Sequence, residues 1–160
     1  MLAHLRYLAY VLRHKWHVFV ACRDLQVPLW QAVIHDWTKF LPCEWFPYVQ
    51  RFYGASALQR DQKSDAFDRA WNHHQKSNRH HWQYWVLITE RDALRVQALS
   101  IPPRYAREMV ADWIGAGRAQ GQPDVAAWYD ANAAKMVLHE HTRALVEQLI
   151  GEAQRRRFVP

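Results

Sequence analysis

Residues 2–25, LAHLRYLAYVLRHKWHVFVACRDL, decide the fold. Wound at about 100° per residue, Tyr7, Val11, His14, Val18 and Ala21 fall on one face, the spacing of a long amphipathic helix. Val27-Pro28 closes it, because a residue before proline is pushed out of the helical region. A long helix with one apolar face needs partners, and the rest of the chain supplies them in helical register. Pro28 suits the first turn of a second helix over 29–40, which ends before Leu41-Pro42. A third helix spans 44–52 and stops at Gly54. Ser64 can cap a fourth, with Phe67, Ala70, Trp71, His74 and Asn78 on one face. Ile101-Pro102-Pro103 precedes a helix over 104–119, whose end Gly115 and Gly117 are expected to fray. Pro123 and Asp124 open a short helix reaching Met136, and a last helix covers 140–156. Between them, Val86-Leu87-Ile88-Thr89 and Leu94-Arg95-Val96-Gln97 read as a small hairpin or a continued helix; the hairpin is favoured.

Composition agrees with that reading. The 160 residues make one domain, 1–160, and half of them are apolar, enough for a core. Only five are glycine, too few for a strand-rich fold with many tight turns. The expected class is therefore all-α, a compact helical bundle with one small β-hairpin near residues 85–99. Most of the nine tryptophans are expected in the core. Cys22 and Cys43, the only cysteines, suit a reduced, cytoplasmic setting. His4, Arg6, Arg13, His14 and Lys15 interrupt the N-terminal apolar stretch, which argues against a signal-peptide core and a membrane span. A net charge of +6 favours anionic partners, a nucleotide before a nucleic acid, because the excess stripes no helix. Arg155, Arg156 and Arg157 read as a solvated helix end. No glycine-rich loop cradles phosphate, which removes ATP- and NAD-binding readings. Neither the cysteines nor Ser56, Ser64, Ser77 and Ser100 sit in a nucleophile motif.

The chemistry lies in the histidines and carboxylates. His14 is on the inner face of the first helix. In the second, Asp36 is expected on the stripe of Leu29, Ala32, Val33 and Phe40, with His35 just before it. In the helix over 104–119, Asp112 falls between Tyr105 and Met109, with Glu108 one turn back. Singly, each has an ordinary explanation: a hydrogen-bonded core histidine, a loop aspartate, a carboxylate paired with arginine. Together they point inward from three helices, and a divalent metal would satisfy them at once. Trp71-Asn72-His73-His74-Gln75-Lys76-Ser77-Asn78-Arg79-His80-His81-Trp82 holds four of the ten histidines. His74 occupies the apolar stripe; on a continuing helix His74, Asn78 and His81 would share one face and His73 and His80 another, whereas a loop from Asn78 would fold His80 and His81 back toward His74. Two neighbouring metals would use this many ligands. The plain alternative is an imidazole-rich surface patch.

His14 with Val18, His35-Asp36 with Lys39, and Asp112 follow the H…HD…D order of the HD-domain metalloenzyme superfamily, which the chain resembles. It resembles more closely, over most of its length, a little-characterised bacterial and phage family of unknown function. That family carries HD-x-[ST]-K-F, A-W-x-H-H-x-x-x-N-x-H-H and E-M-x-x-D-W, matched here at 35–40, 70–81 and 108–113. The resemblance implies that His14, His35, Asp36 and Asp112 hold a first metal, and His74, His80 and His81 a second. It makes His17 and His73 substitute or supporting ligands and Lys39 a phosphate or oxyanion partner. Glu108 would orient a ligand or act as a base, and Glu44 is a further acid–base candidate; Lys39 and Glu44 could equally form surface ion pairs. The metal would be Mn, Fe, Zn, Mg or Ni. The implied activity is a metal-dependent phosphohydrolase on a nucleotide or other small phosphate ester, with Arg79 and Arg104 countering charge and Trp37 or Trp82 stacking on a base. Thr38 stands where many HD enzymes have glycine, and the Gly-Tyr-Pro motif is absent, which disfavours cyclic dinucleotides. Related families host di-iron oxygenases, the second reading; a basic nucleic-acid-binding module is the third. A homodimer through an exposed aromatic face stays open.

Overall fold

The computed structural model describes residues 1–54, 65–90 and 95–157. Seven α-helices and one two-stranded hairpin make up the described part: α1 (Leu2–Asp24), α2 (Leu29–Ile34), α3 (Pro42–Tyr53), α4 (Asp65–Ser77), β1 (Val86–Thr89), β2 (Arg95–Ala98), α5 (Pro103–Ala119), α6 (Val125–Asn132) and α7 (Glu140–Arg157). The chain is all-α with a small antiparallel hairpin, in which Val86 faces Ala98 and Thr89 faces Arg95. Ser64 and the hairpin tip at Arg91-Asp92 fall outside the described residues. No described helix is long and apolar enough to cross a membrane.

The inner stripe of α1 is buried as its periodicity requires, from Tyr7 through Val11, His14 and Val18 to Ala21. It runs along α5, and the two helices meet at Gly115. A Cβ there would lie 2.6 Å from the Val18 backbone nitrogen and 2.8 Å from its Cα. Gly115 therefore does not fray α5; it is a buried contact that lets α1 in, because only a residue without a side chain fits against a backbone that close. Gly115→Ala should cost about 1–3 kcal/mol by overpacking, read as a lowered denaturation midpoint at unchanged slope.

Two apolar clusters flank the middle of α1. Val18, Ala21, Cys22 and Leu25 join Ala106, Met109, Val110 and Ile114 of α5 and Val146 and Leu149 of α7. Tyr7 and Val11 join Tyr48 and Val49 of α3. His14 lies on α1 between these clusters, so the seam between two cores is where polar groups collect. Both cysteines are free, Cys22 buried and Cys43 exposed.

Two expectations fail here. No tryptophan is fully buried, and Trp16, Trp30 and Trp37 are more than half exposed. Small residues such as Ala21, Ala106, Ala111 and Gly115 line the closest helix contacts, and Trp45, Trp82, Trp85 and Trp113 pack only partly buried against the clusters. The second helix also ends at Ile34 rather than Phe40. His35 is extended and Asp36 is left-handed, at φ 55° and ψ 27°, before a 3-10 turn over Trp37–Phe40. Only part of the expected stripe faces inward: Ala32 and Asp36 are buried, joined by Gln31 and His35, while Leu29, Val33 and Phe40 are exposed.

Candidate metal centre

The break after Ile34 is what assembles the site. On a continuous helix, neighbours point about 100° apart. With His35 extended and Asp36 left-handed, both side chains enter the same interior. Such a backbone costs about 1 kcal/mol for a residue with a Cβ, and aspartate tolerates it better than most. Lys15 of α1 anchors the break by donating its ammonium hydrogens to the carbonyls of Val33 (3.3 Å) and His35.

Asp36 sits at the centre. Its Oδ2 lies 3.2 Å from His14 Nε2, 3.3 Å from His35 Nε2 and 2.6 Å from Lys39 Nζ. Its Oδ1 lies 3.4 Å from His74 Nε2 and 3.3 Å from His80 Nε2. Asp112 Oδ1 completes the first set, 3.3 Å from His14 Nε2 and 3.4 Å from His35 Nε2. Donor atoms of His14, His35, Asp36 and Asp112 all lie within 4.8 Å of one another, as do those of Asp36, His74 and His81, and of His80, His81 and Asp112. The seven residues expected as ligands therefore form one cluster, with Asp36 offering one oxygen to each half.

The donors have the chemistry a divalent cation needs. His35 Nε2, Asp36 Oδ1, His80 Nε2 and His81 Nε2 are buried and make no hydrogen bond among the described residues. Four orphaned atoms at one point would be costly unless something bonds them. A cation held by nitrogen and oxygen does so, and the residues fit it.

Behind the imidazoles stand two glutamates. Glu108 Oε1 accepts from His35 Nδ1 at 2.9 Å and lies 3.3 Å from His80 Nδ1, and Gln31 donates to its other oxygen. Glu44, fully buried, accepts from His74 Nδ1 at 2.9 Å and from His73 Nδ1 at 2.7 Å. A histidine whose Nδ1 hydrogen is held in this way turns Nε2 toward the centre, where its lone pair becomes available once that nitrogen is deprotonated. Asn78 braces the turn after α4 by donating to Thr38 Oγ1 and the His74 carbonyl, both at 2.8 Å.

Charge balances inside the cluster. Burial alone would lower His35, but Asp36, Asp112 and Glu108 reverse this and hold it well above the ordinary imidazole range. Burial and His35 likewise depress His80, and the nearby carboxylates of Asp36 and Glu108 outweigh them. His14 is pushed down to about 4 by burial and by Lys39. His81 is held low by burial and by its neighbours His80 and His74. Burial opposes ionisation of Asp36, but His35 and Lys39 keep it well below the carboxylate range. Glu108, with the same opposition, is drawn to about 2 by His35 and His80.

The donor pattern spans α1, the α2 break, α4 and α5, and one family model extends over all of them. The chain belongs to the family of unknown function DUF5662. The match covers residues 3–152, so every residue of the cluster lies inside it. No curated protein and no solved structure matches the chain.

Other anticipated residues of this DUF5662 chain lie around the cluster rather than in it. His17 is half-buried and joins none of the donor groups. His73 reaches Glu44 instead of the centre. Arg79 and Arg104 both donate to the Tyr105 hydroxyl, at 3.1 and 3.2 Å. Trp37 and Arg79 line a small cavity of about 150 Å³ that touches His35 and His80. Trp82 lines one of about 310 Å³ on the side of His81 and Asp112. Sequence reasoning missed Gln31, although it stands only four residues before His35. It also gave no structural role to Thr38, which takes the Asn78 bond.

Proposed function

We propose that this chain is a metal-dependent phosphohydrolase acting on a nucleotide or another small phosphate ester, in which His14, His35, Asp36 and Asp112 would hold a divalent ion and His74, His80 and His81, beside the other Asp36 oxygen, would hold a second. The observation that carries the reading is the split of Asp36, Oδ2 toward His14 and His35 and Oδ1 toward His74 and His80. The order of His14, His35-Asp36 and Asp112, which resembles the HD-domain superfamily, supports it. Ions held there would lower the pKa of a water toward neutrality and polarise a phosphoryl oxygen.

The chain's own groups do the rest. Lys39 lines a cavity of about 340 Å³ at the cluster with its ammonium beside Asp36 and can bond an incoming oxyanion. Glu108 and Glu44 hold the far nitrogens of His35, His80 and His74, so on this reading they orient ligands rather than move protons.

The test is phosphate release from a panel of nucleoside monophosphates and aryl phosphates, with protein loaded in turn with Mn, Fe(II), Zn, Mg and Ni. Turnover with at least one metal, abolished by chelator, is expected. Absence of phosphate release with every metal overturns the hydrolase. Oxygen uptake by the iron-loaded protein in its place would assign the cluster to a di-iron oxygenase, which an imidazole-rich donor set also suits. Salt-dependent nucleic-acid binding without turnover would make the chain a binding module.

A further inference from the structure

The cavity of about 340 Å³ between α1, α3 and α4 reaches His14, Lys39, His74 and Asp112 at its inner end. Its walls include two tyrosines whose placement the packing does not explain. Tyr7 and Tyr48 are only 2% and 3% exposed, and neither hydroxyl has a hydrogen-bond partner among the described residues. A buried hydroxyl without a partner is destabilising, and phenylalanine would fill the same space without one. The two rings are tilted 44° to each other with centroids 6.2 Å apart, and both phenols are near enough to Asp36 and Glu44 to feel their charge. Both tyrosines and Lys39 line this cavity, and Tyr7 also feels the Lys39 charge, so two unpartnered phenols and an ammonium share a lining that adjoins the cluster and suits a group with several oxygen lone pairs.

Toward the mouth the lining turns aromatic. Phe52 and Phe67 meet edge to face at 5.7 Å, and Trp71 lies nearly parallel to His74 at 5.7 Å. Phe52 is 55% and Trp71 38% exposed, so these rings border the opening. Such walls favour a flat ring over a hydrated chain.

Resting on the phosphohydrolase reading, we propose that Tyr7 and Tyr48, with Lys39, form the subsite for the substrate's anionic oxygens. The Phe52–Phe67–Trp71 wall takes a planar organic part, so the substrate class is a phosphate monoester of an aromatic or nucleoside alcohol rather than of a polyol.

The variants are Tyr7→Phe, Tyr48→Phe and the double, each compared with wild type as manganese-loaded protein. Manganese content, thermal midpoint, the affinity of inorganic phosphate, and KM and kcat for p-nitrophenyl phosphate and glycerol phosphate are measured. Expected are unchanged manganese content and a midpoint that holds or rises, since an unpartnered hydroxyl has gone. Phosphate affinity should fall about tenfold for each single variant and further for the double, the loss of hydrogen bonds to a charged group. The aryl ester should have the lower KM. Unchanged phosphate affinity in the double variant overturns the subsite while leaving hydrolysis by wild type intact. Weakened phosphate binding in the variants of a protein that hydrolyses no ester overturns the hydrolase and keeps the subsite. A lowered midpoint with unaltered phosphate binding makes the tyrosines structural and overturns the proposal, as does a wild type that binds no phosphate.

Discussion

Asp36→Asn is expected to empty both halves of the cluster with one substitution. Each carboxylate oxygen faces a different pair of imidazoles, His14 and His35 on one side and His74 and His80 on the other. An amide offers one weaker oxygen and a nitrogen that cannot coordinate, and it removes the negative charge that a shared cation needs most. Asparagine accepts left-handed φ and ψ as readily as aspartate, so the break after Ile34 survives and the effect reads on binding rather than folding. Metal analysis should show a fall from about two ions per chain to well under one, with phosphate release down at least ~1,000-fold. Asp112→Asn and His74→Ala serve as controls. Asp112 Oδ1 approaches His14 and His35 while its Oδ2 is 4.0 Å from His80, so its loss should strip the first ion more than the second. His74→Ala should do the reverse. Retention of two equivalents by Asp36→Asn would show that Asp36 does not bridge.

Much of this architecture is written in local pattern. The stripe from Tyr7 to Ala21 requires α1, the β-branched run at Val86 predicts β1, and Asp124 caps α6 by accepting from the backbone of Ala126 and Ala127. The clustered residues were legible for a related reason: an ionisable residue on an apolar stripe needs an interior partner, and His14, His74 and Asp112 each sit on one. Asp36 was found for the wrong reason. Periodicity placed it on an inward stripe with Leu29 and Val33, which are exposed, whereas it enters through a left-handed turn that no hydrophobic period encodes. Gly115 was misread because glycine near a helix end has two meanings, and only the partner helix tells a cap from a crossing point. The pairings of Glu44 with His73 and His74, and of Glu108 with His35 and His80, join residues about thirty or more positions apart, and sequence spacing carries no trace of them. Tyr7 and Tyr48 stayed hidden because a tyrosine on an apolar face reads as core until its hydroxyl is seen to lack a partner.

Metal uptake by this cluster should release protons, and the structure says from where. His35 and His80 are held above the ordinary imidazole value of 6.5, against the pull of burial, by the carboxylates of Asp36, Asp112 and Glu108. Each already directs its Nδ1 toward Glu108, so the proton in a ligand's way is the one on Nε2. A cation must displace it. Because these groups keep protons until the pH exceeds their raised pKa, competition persists through neutrality. Apparent metal affinity should then climb as pH rises, by up to about tenfold per pH unit for each proton displaced, and about one to two protons should leave at neutral pH. His14 and His81 behave oppositely: burial keeps them below their ordinary values, so both are neutral beforehand and release nothing. Titration calorimetry with manganese at neutral pH, in two buffers of different ionisation enthalpy, counts the protons directly. Wild type should show a buffer-dependent heat, His80→Gln should release fewer protons, and His14→Ala should bind more weakly with the proton count unchanged. A heat independent of buffer would mean that the imidazoles of His35 and His80 are neutral before the ion arrives, and that the carboxylates around them are balanced by Lys39 rather than by protons on histidine.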